Sequence, residues 1–203
     1  VSLTRLVLWR HGETDYNATG RLQGQYDSHL TDTGLAQARQ AVPVLAGFLP
    51  TTVVSSDLHR AADTAAVYAA ETGADVRLDK RLRETHLGDW QGLTYAQVEE
   101  GWPGALNTWR SDPRWAPPGG EARVEVAARA AEVVAELDTQ FDGTALLCAH
   151  GGLISALTGR MLGLPLAAWT QLGGITNCHW TVLGRREGDN RWRLLAYNAG
   201  LGG

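Results

Sequence analysis

The sequence predicts an α/β protein, a three-layer α/β/α sandwich with a mostly parallel central sheet. Short Val- and Leu-rich runs (residues 3–9, 51–55 and 144–149) alternate with Ala-rich stretches of helical period. Within the first of these runs, Leu6-Val7-Leu8-Trp9 is apolar without interruption, as strands covered on both faces are. A chain of 203 residues with 44% hydrophobic content also suffices for one sizeable core. One domain spanning 1–203 is therefore expected.

Taken in order, residues 3–9 read as a central strand. Thr31, Asp32 and Thr33 offer caps for a helix running to Phe48, with Gly34 and Pro43 as its weak points. Residues 51–55 form a short β-branched strand. Residues 57–72 read as an Ala-rich helix capped by Ser56 or Asp57 and stopped near Gly73. A short strand follows at 75–78. Residues 124–141 repeat Ala, Val and Leu at helical spacing, 144–149 is a strand, and 153–162 is a helix ended by Gly163 and Pro165. Two closing strands, 178–183 and 192–197, flank a turn-rich stretch at 185–190. Segment 101–123 breaks this rhythm with four prolines and Trp102, Trp109 and Trp115. Loops this long inside a compact domain are usually functional, so a lid-like insertion is expected there. Its tryptophans either anchor the segment or contact substrate.

Composition narrows the function classes. A net charge of −4 provides no global field for nucleic acid or anionic membranes. No apolar run approaches 18 residues and the first residues carry no signal pattern, so a cytoplasmic location is expected. Cys148 and Cys178 are too few for a disulfide framework and have no metal-ligand spacing. Cys148 sits in an apolar run and reads as a small buried residue. The basic residues are seventeen arginines and one lysine, Lys80. No Gly-x-x-x-x-Gly-Lys occurs, which argues against Walker-type phosphate binding.

The chemistry gathers at strand ends, where α/β sheets bind ligands. Arg10-His11-Gly12-Glu13-Thr14 follows the first strand and supplies an imidazole beside a guanidinium. Alone, such a stretch occurs by chance. Arg60 falls in the first turn of a helix, where backbone N–H groups already favour anions; otherwise it is a surface ion-pair residue. His150 ends another strand before Gly151 and Gly152, which allow close backbone approach; otherwise it is a structural histidine. Glu84 lies in the loop after Leu82, the usual setting of a solvated charge. Together, two histidines, two arginines and one glutamate form the parts list for phosphoryl transfer through a phosphohistidine.

Four motifs occur in one order along the chain: Arg-His-Gly-Glu-Thr (10–14), Ser-Ser-Asp-Leu-x-Arg-Ala (55–61), Arg-x-Arg-Glu (81–84) with Gly88-Asp89-Trp90-x-Gly92, and Ala-His-Gly-Gly (149–152). With Leu-Thr-x-x-Gly at 30–34, they resemble the histidine phosphatase superfamily, the phosphoglycerate mutase-like family, over essentially the whole chain. The resemblance implies that fold, with His11 as nucleophile and Arg10, Arg60 and His150 as the phosphate pocket. It also implies Asn17 as a polar contact and Glu84 as proton donor to the leaving oxygen. Physical chemistry supports each role. Attack needs an unprotonated imidazole nitrogen, which flanking positive charge favours. Two guanidiniums neutralise a phosphoryl group without a metal. An alkoxide leaves poorly unless an acid protonates it. No metal and no cofactor are expected.

Residues 84–90 have the family's phosphatase-like form rather than the Glu-Arg-His-Tyr-Gly of its mutases, which favours a hydrolase. Loop motifs at 15–17, 22–25, 84–92 and 115–121 resemble actinobacterial phosphatases of a glucosylated phosphoglycerate. That likeness implies substrate contacts at Gln23, Gly24, Trp115 and Gly151, and His86 either helps to bind substrate or packs its own loop. A small phosphorylated metabolite is the expected partner. Alternatives are phosphatases of α-ribazole phosphate or sugar phosphates, a phosphoglycerate mutase, and a phosphate sensor without turnover. The presence of both His11 and Glu84 weighs against the sensor. The family often forms homodimers, and the two closing strands serve either as an interface or as the end of the core.

Overall fold

The computed structural model describes residues 2–186 and 188–201. Glu187, in the expected turn, and Gly202 and Gly203, at the end of the Gly-rich tail, lie outside the described residues. Among the described residues, six strands form one sheet in the order β3-β2-β4-β1-β5-β6. They are β1 (Leu3–Arg10), β2 (Pro50–Ser55), β3 (Val76–Leu78), β4 (Gly143–Ala149), β5 (Trp180–Gly184) and β6 (Arg193–Ala199). The first four run parallel, whereas β5 and β6 are antiparallel to their neighbours.

Two helices cover each face. α1 (Asp15–Ala18) is one turn; α2 (Asp32–Ala46) and α3 (His59–Thr72) then pack on one side. The short α4 (Tyr95–Gly101) and α5 (Ala105–Ser111) precede α6 (Arg123–Gln140) and α7 (Gly151–Met161), which pack on the other side, and α8 (Leu166–Trp169) follows. β1 shows why the apolar run is continuous. Leu6 and Leu8 join the core beneath α6 and α7, while Val7 and Trp9 join the core beneath α2 and α3. Side chains alternate along a strand, so both registers must be apolar when both faces are covered. Free Cys148 and Cys178 are buried in the second core, and burial raises both thiols, Cys178 to about 12.

Several elements differ from expectation for local reasons. α2 ends at Ala46 rather than Phe48 and runs through Pro43. Gly34 is a packing requirement: a Cβ there would collide with the Glu13 carbonyl oxygen, and one on Gly12 would collide with the Gly34 backbone, so the His11 turn sits directly on α2. α3 starts at His59, with neither Ser56 nor Asp57 at its cap position. Its first N–H, from His59, donates instead to Asp27 Oδ1 at 2.7 Å. α7 starts at Gly151, two residues early, and β5 starts at Trp180 because Cys178 takes a left-handed φ of 57° outside the ladder.

Segment 101–123 is more ordered than its prolines suggest. α5 lies within it, and Trp102, Trp109 and Trp115 surround the buried Trp90 with ring centroids 6.4, 5.8 and 5.6 Å away. Leu22, Leu87, Val98 and Leu106 complete this satellite core.

Candidate active site

Register brings the candidate residues together. Arg10 pairs with Ala149 and Ser55 with Cys148 across adjacent parallel strands. The next residues, His11, His150 and Ser56, therefore leave the sheet side by side at its carboxyl edge. The rings of His11 and His150 lie 5.2 Å apart between centroids. His11 Nδ1 is 2.7 Å from the Gly12 carbonyl oxygen. A carbonyl only accepts, so Nδ1 carries the proton and Nε2 keeps its lone pair. Burial, then Arg10 and Arg60, hold the His11 pKa well below its ordinary value and keep the ring neutral. Burial, followed by Arg60 and His11, does the same to His150, whose Nε2 lies 2.8 Å from Ser56 Oγ.

Arg60 is not a surface ion-pair residue. It is 1% exposed, and its two terminal nitrogens donate to the carbonyls of Tyr26 (2.7 Å) and Gly24 (2.6 Å). Burial lowers its pKa to about 10, which still leaves it charged at neutral pH. Arg10 Nη1 donates to the Ile175 carbonyl. Beyond these anchors, Arg10 Nε, Arg60 Nε and His150 Nδ1 are buried without a hydrogen-bond partner. Buried polar atoms are nearly always paired, and three exceptions around one imidazole describe a site built for an anion.

The Glu84 carboxylate approaches from the loop after β3. Oε1 accepts from the N–H of Thr85 (2.8 Å) and Leu153 (3.0 Å), and Oε2 accepts from the N–H of Gly152 (2.9 Å). It thus docks on the N-terminus of α7, where the helix dipole favours negative charge. A cavity of about 200 Å³ is lined by Arg10, His11, Arg60, Glu84, Asn17, Gln23 and Gly24 among others, whereas the fully buried His150 is not part of its lining. Asn17 Oδ1 accepts from the Thr14 N–H at 3.1 Å and from Asn177 Nδ2 at 3.1 Å, leaving its own NH₂ to donate.

Gly151 flanks the site: a Cβ there would lie 3.5 Å from Arg10 Nε. Gly151 itself is not in the cavity lining, and two further expected contacts stand elsewhere. Trp115 packs on Trp90 and does not line the cavity. His86 is also absent from the lining; its Nδ1 accepts from the Gly88 N–H at 3.0 Å, and its backbone is tied to Glu121. Sequence reasoning missed Arg21 and Tyr95, which line the cavity; of the three tryptophans offered either as anchors or as substrate contacts, Trp109 lines it too. The Thr94…Gln97 capping box was the one local signal announcing the helix that carries Tyr95. Among the described residues, no group of three or more His, Cys, Asp or Glu is placed to hold a metal ion.

Residues 6–199 match the histidine phosphatase superfamily (branch 1). The chain is 50% identical to glucosyl-3-phosphoglycerate phosphatase of Mycolicibacterium vanbaalenii, covering 96% of this chain and 94% of that one. The enzyme of the same name from Mycobacterium tuberculosis is also 50% identical, with the same coverage. Among solved structures, mycobacterial glucosyl-3-phosphoglycerate phosphatase with VO3 superposes with a TM-score of 0.93 at 51% identity, covering 97% of this chain and all of that one. The strand-end histidines and arginines, the six-stranded sheet and these likenesses agree, and the chain belongs to the histidine phosphatase superfamily.

Proposed function

We propose that the chain is a metal-independent phosphomonoester hydrolase that acts on glucosyl-3-phosphoglycerate through a phosphohistidine. The observation that carries the chemistry is the set of three unpartnered buried nitrogens, on Arg10, Arg60 and His150, around a neutral His11 with Nδ1 already engaged. The substrate follows the half-identical relatives of that name.

In this reading His11 Nε2 attacks phosphorus. A P–N bond forms, the P–O ester bond breaks, and Glu84 gives its proton to the departing oxygen. Arg10, Arg60 and His150 hold the equatorial oxygens, on which charge is spread in the transition state. Water then attacks the phosphohistidine while Glu84 takes one of its protons. The P–N bond breaks, inorganic phosphate leaves, and His11 returns neutral. Asn17, Gln23 and Gly24 bound the same cavity and are assigned to substrate positioning. The segment around α4 and α5 acts as a wall or lid over it. A homodimer and a cytoplasmic location also belong to this reading. The open edge at β6 exposes Leu194 and Leu195 for the former, and a phosphorylated metabolite as substrate accords with the latter.

The test is His11→Ala on glucosyl-3-phosphoglycerate with a ³²P-labelled ester. Turnover and the acid-labile labelled protein should both vanish. Retained turnover overturns the mechanism, and turnover of other phosphate esters without this one overturns the substrate.

A further inference from the structure

The cavity holds one cation beyond the two of the phosphate pocket. Its charged lining comprises Arg10, Arg21 and Arg60 against Glu84 alone. Glu84 is engaged by three backbone N–H groups, and a phosphate ester dianion balances Arg10 and Arg60. Arg21 is left over. It has no carboxylate partner among the described residues, yet it is held in place. Its backbone bridges to Thr94, and Nη1 donates to the Gly92 carbonyl at 2.9 Å, leaving the rest of the guanidinium fork to bind.

Depth in the cavity says what it binds. The phosphate end is buried, with His11 2% and Arg60 1% exposed. The same cavity reaches solvent at its exposed lining residues Arg21 and Tyr95, which form its mouth. With phosphorus at His11, the leaving alcohol must extend toward that mouth. We propose that Arg21 binds a carboxylate on the leaving alcohol, so that the enzyme selects phosphate esters of hydroxy acids over esters of neutral alcohols. A guanidinium takes a carboxylate through two parallel hydrogen bonds, which fixes the orientation of the alcohol as well as its charge. This rests on the phosphatase reading above and deepens it from a phosphate site to a two-anion site.

The test compares 3-phosphoglycerate with glycerol 3-phosphate, which differ only in carboxylate against hydroxymethyl. The wild type prefers the acid. Arg21→Gln should reduce the ratio of kcat/KM for the two esters by about ten- to a hundredfold, the range of one charged hydrogen-bonded contact. The change should appear in KM for the acid, and Arg21→Lys should restore part of it. Each variant measured on both esters controls for its own folding. An unchanged ratio in Arg21→Gln, or no preference in the wild type, overturns the proposal. The phosphatase reading is scored separately with para-nitrophenyl phosphate, which has no carboxylate. Hydrolysis of that ester that depends on His11 keeps the reading standing even when the Arg21 ratio fails to move.

Discussion

Glu84 has an acid's task in a setting built for a carboxylate. Three N–H donors hold its oxygens, and only glycine at 152 leaves room: a Cβ there would lie 2.7 Å from Oε1. This docking fixes where the carboxyl stands when an ester enters, and proton donation is then a matter of geometry. Glutamine keeps the size and one acceptor oxygen but has no acidic proton. In Glu84→Gln the first-turnover burst from an alkyl phosphate should fall by about 10²- to 10⁴-fold. The nitrophenolate burst from para-nitrophenyl phosphate should change far less, because that oxygen leaves without a proton. Equal losses in the two bursts, followed by rapid quench, would remove Glu84 from the acid role.

The loop that carries Glu84 has little regular structure, and other elements position it. Arg129 of α6 donates to the carbonyls of Arg81 (2.6 Å) and Glu84 (3.0 Å) and pairs with Glu121 at 3.0 Å. Glu121 Oε2 in turn accepts the His86 N–H at 2.8 Å, so both flanks of Glu84 are pinned. Arg129 is a positioning residue in this arrangement. Arg129→Met should lower turnover of alkyl esters about tenfold or more, since ångström-scale misplacement of a catalytic group costs up to 10²-fold. Activated aryl esters should lose less, and Arg129→Lys should recover part. A uniform loss across a leaving-group series would mark Arg129 as a stability residue only. The Arg129 contacts to this loop were not legible in the sequence, because they reach backbone carbonyls 48 and 45 residues away. The sheet strands and the four long helices were legible, since each repeats its apolar pattern over several residues and the cores on both faces enforce it. α4 and α5 were not: each is seven residues long and depends on packing against Trp90 and its neighbours rather than on a stripe of its own. The antiparallel sense of β5 and β6 was likewise hidden, because it is a relation to β1 rather than a property of either run.

At the scale of the whole molecule, the two buried imidazoles tie catalysis to global stability. His11 and His150 extend from the two central strands, and both have pKa values held well below the ordinary 6.5 by burial and by the arginines. In the unfolded chain both protonate as pH falls through 6.5, while the native state stays neutral there. The unfolded state then binds more protons, so stability falls with falling pH. The contribution is fully present above 6.5 and is lost progressively between 6.5 and the lower native values. Carboxylates such as Asp57 and Glu136, which arginine partners hold below their ordinary 3.8 and 4.5, lose their contribution only as pH falls through and below those values. The interval from 6.5 to about 5 therefore isolates the histidines. Two such groups cost up to about 3 kcal/mol at pH 5.5, at 1.36 kcal/mol per pH unit for each. Urea midpoints at pH 7.5, 6.5 and 5.5 should fall accordingly, and His150→Asn should remove about half of the slope. Saturating inorganic phosphate should flatten it further, because a dianion beside both rings favours their protonated forms. A midpoint independent of pH over this interval would mean that neither ring is held neutral, and the nucleophile would lose the physical basis assigned to it.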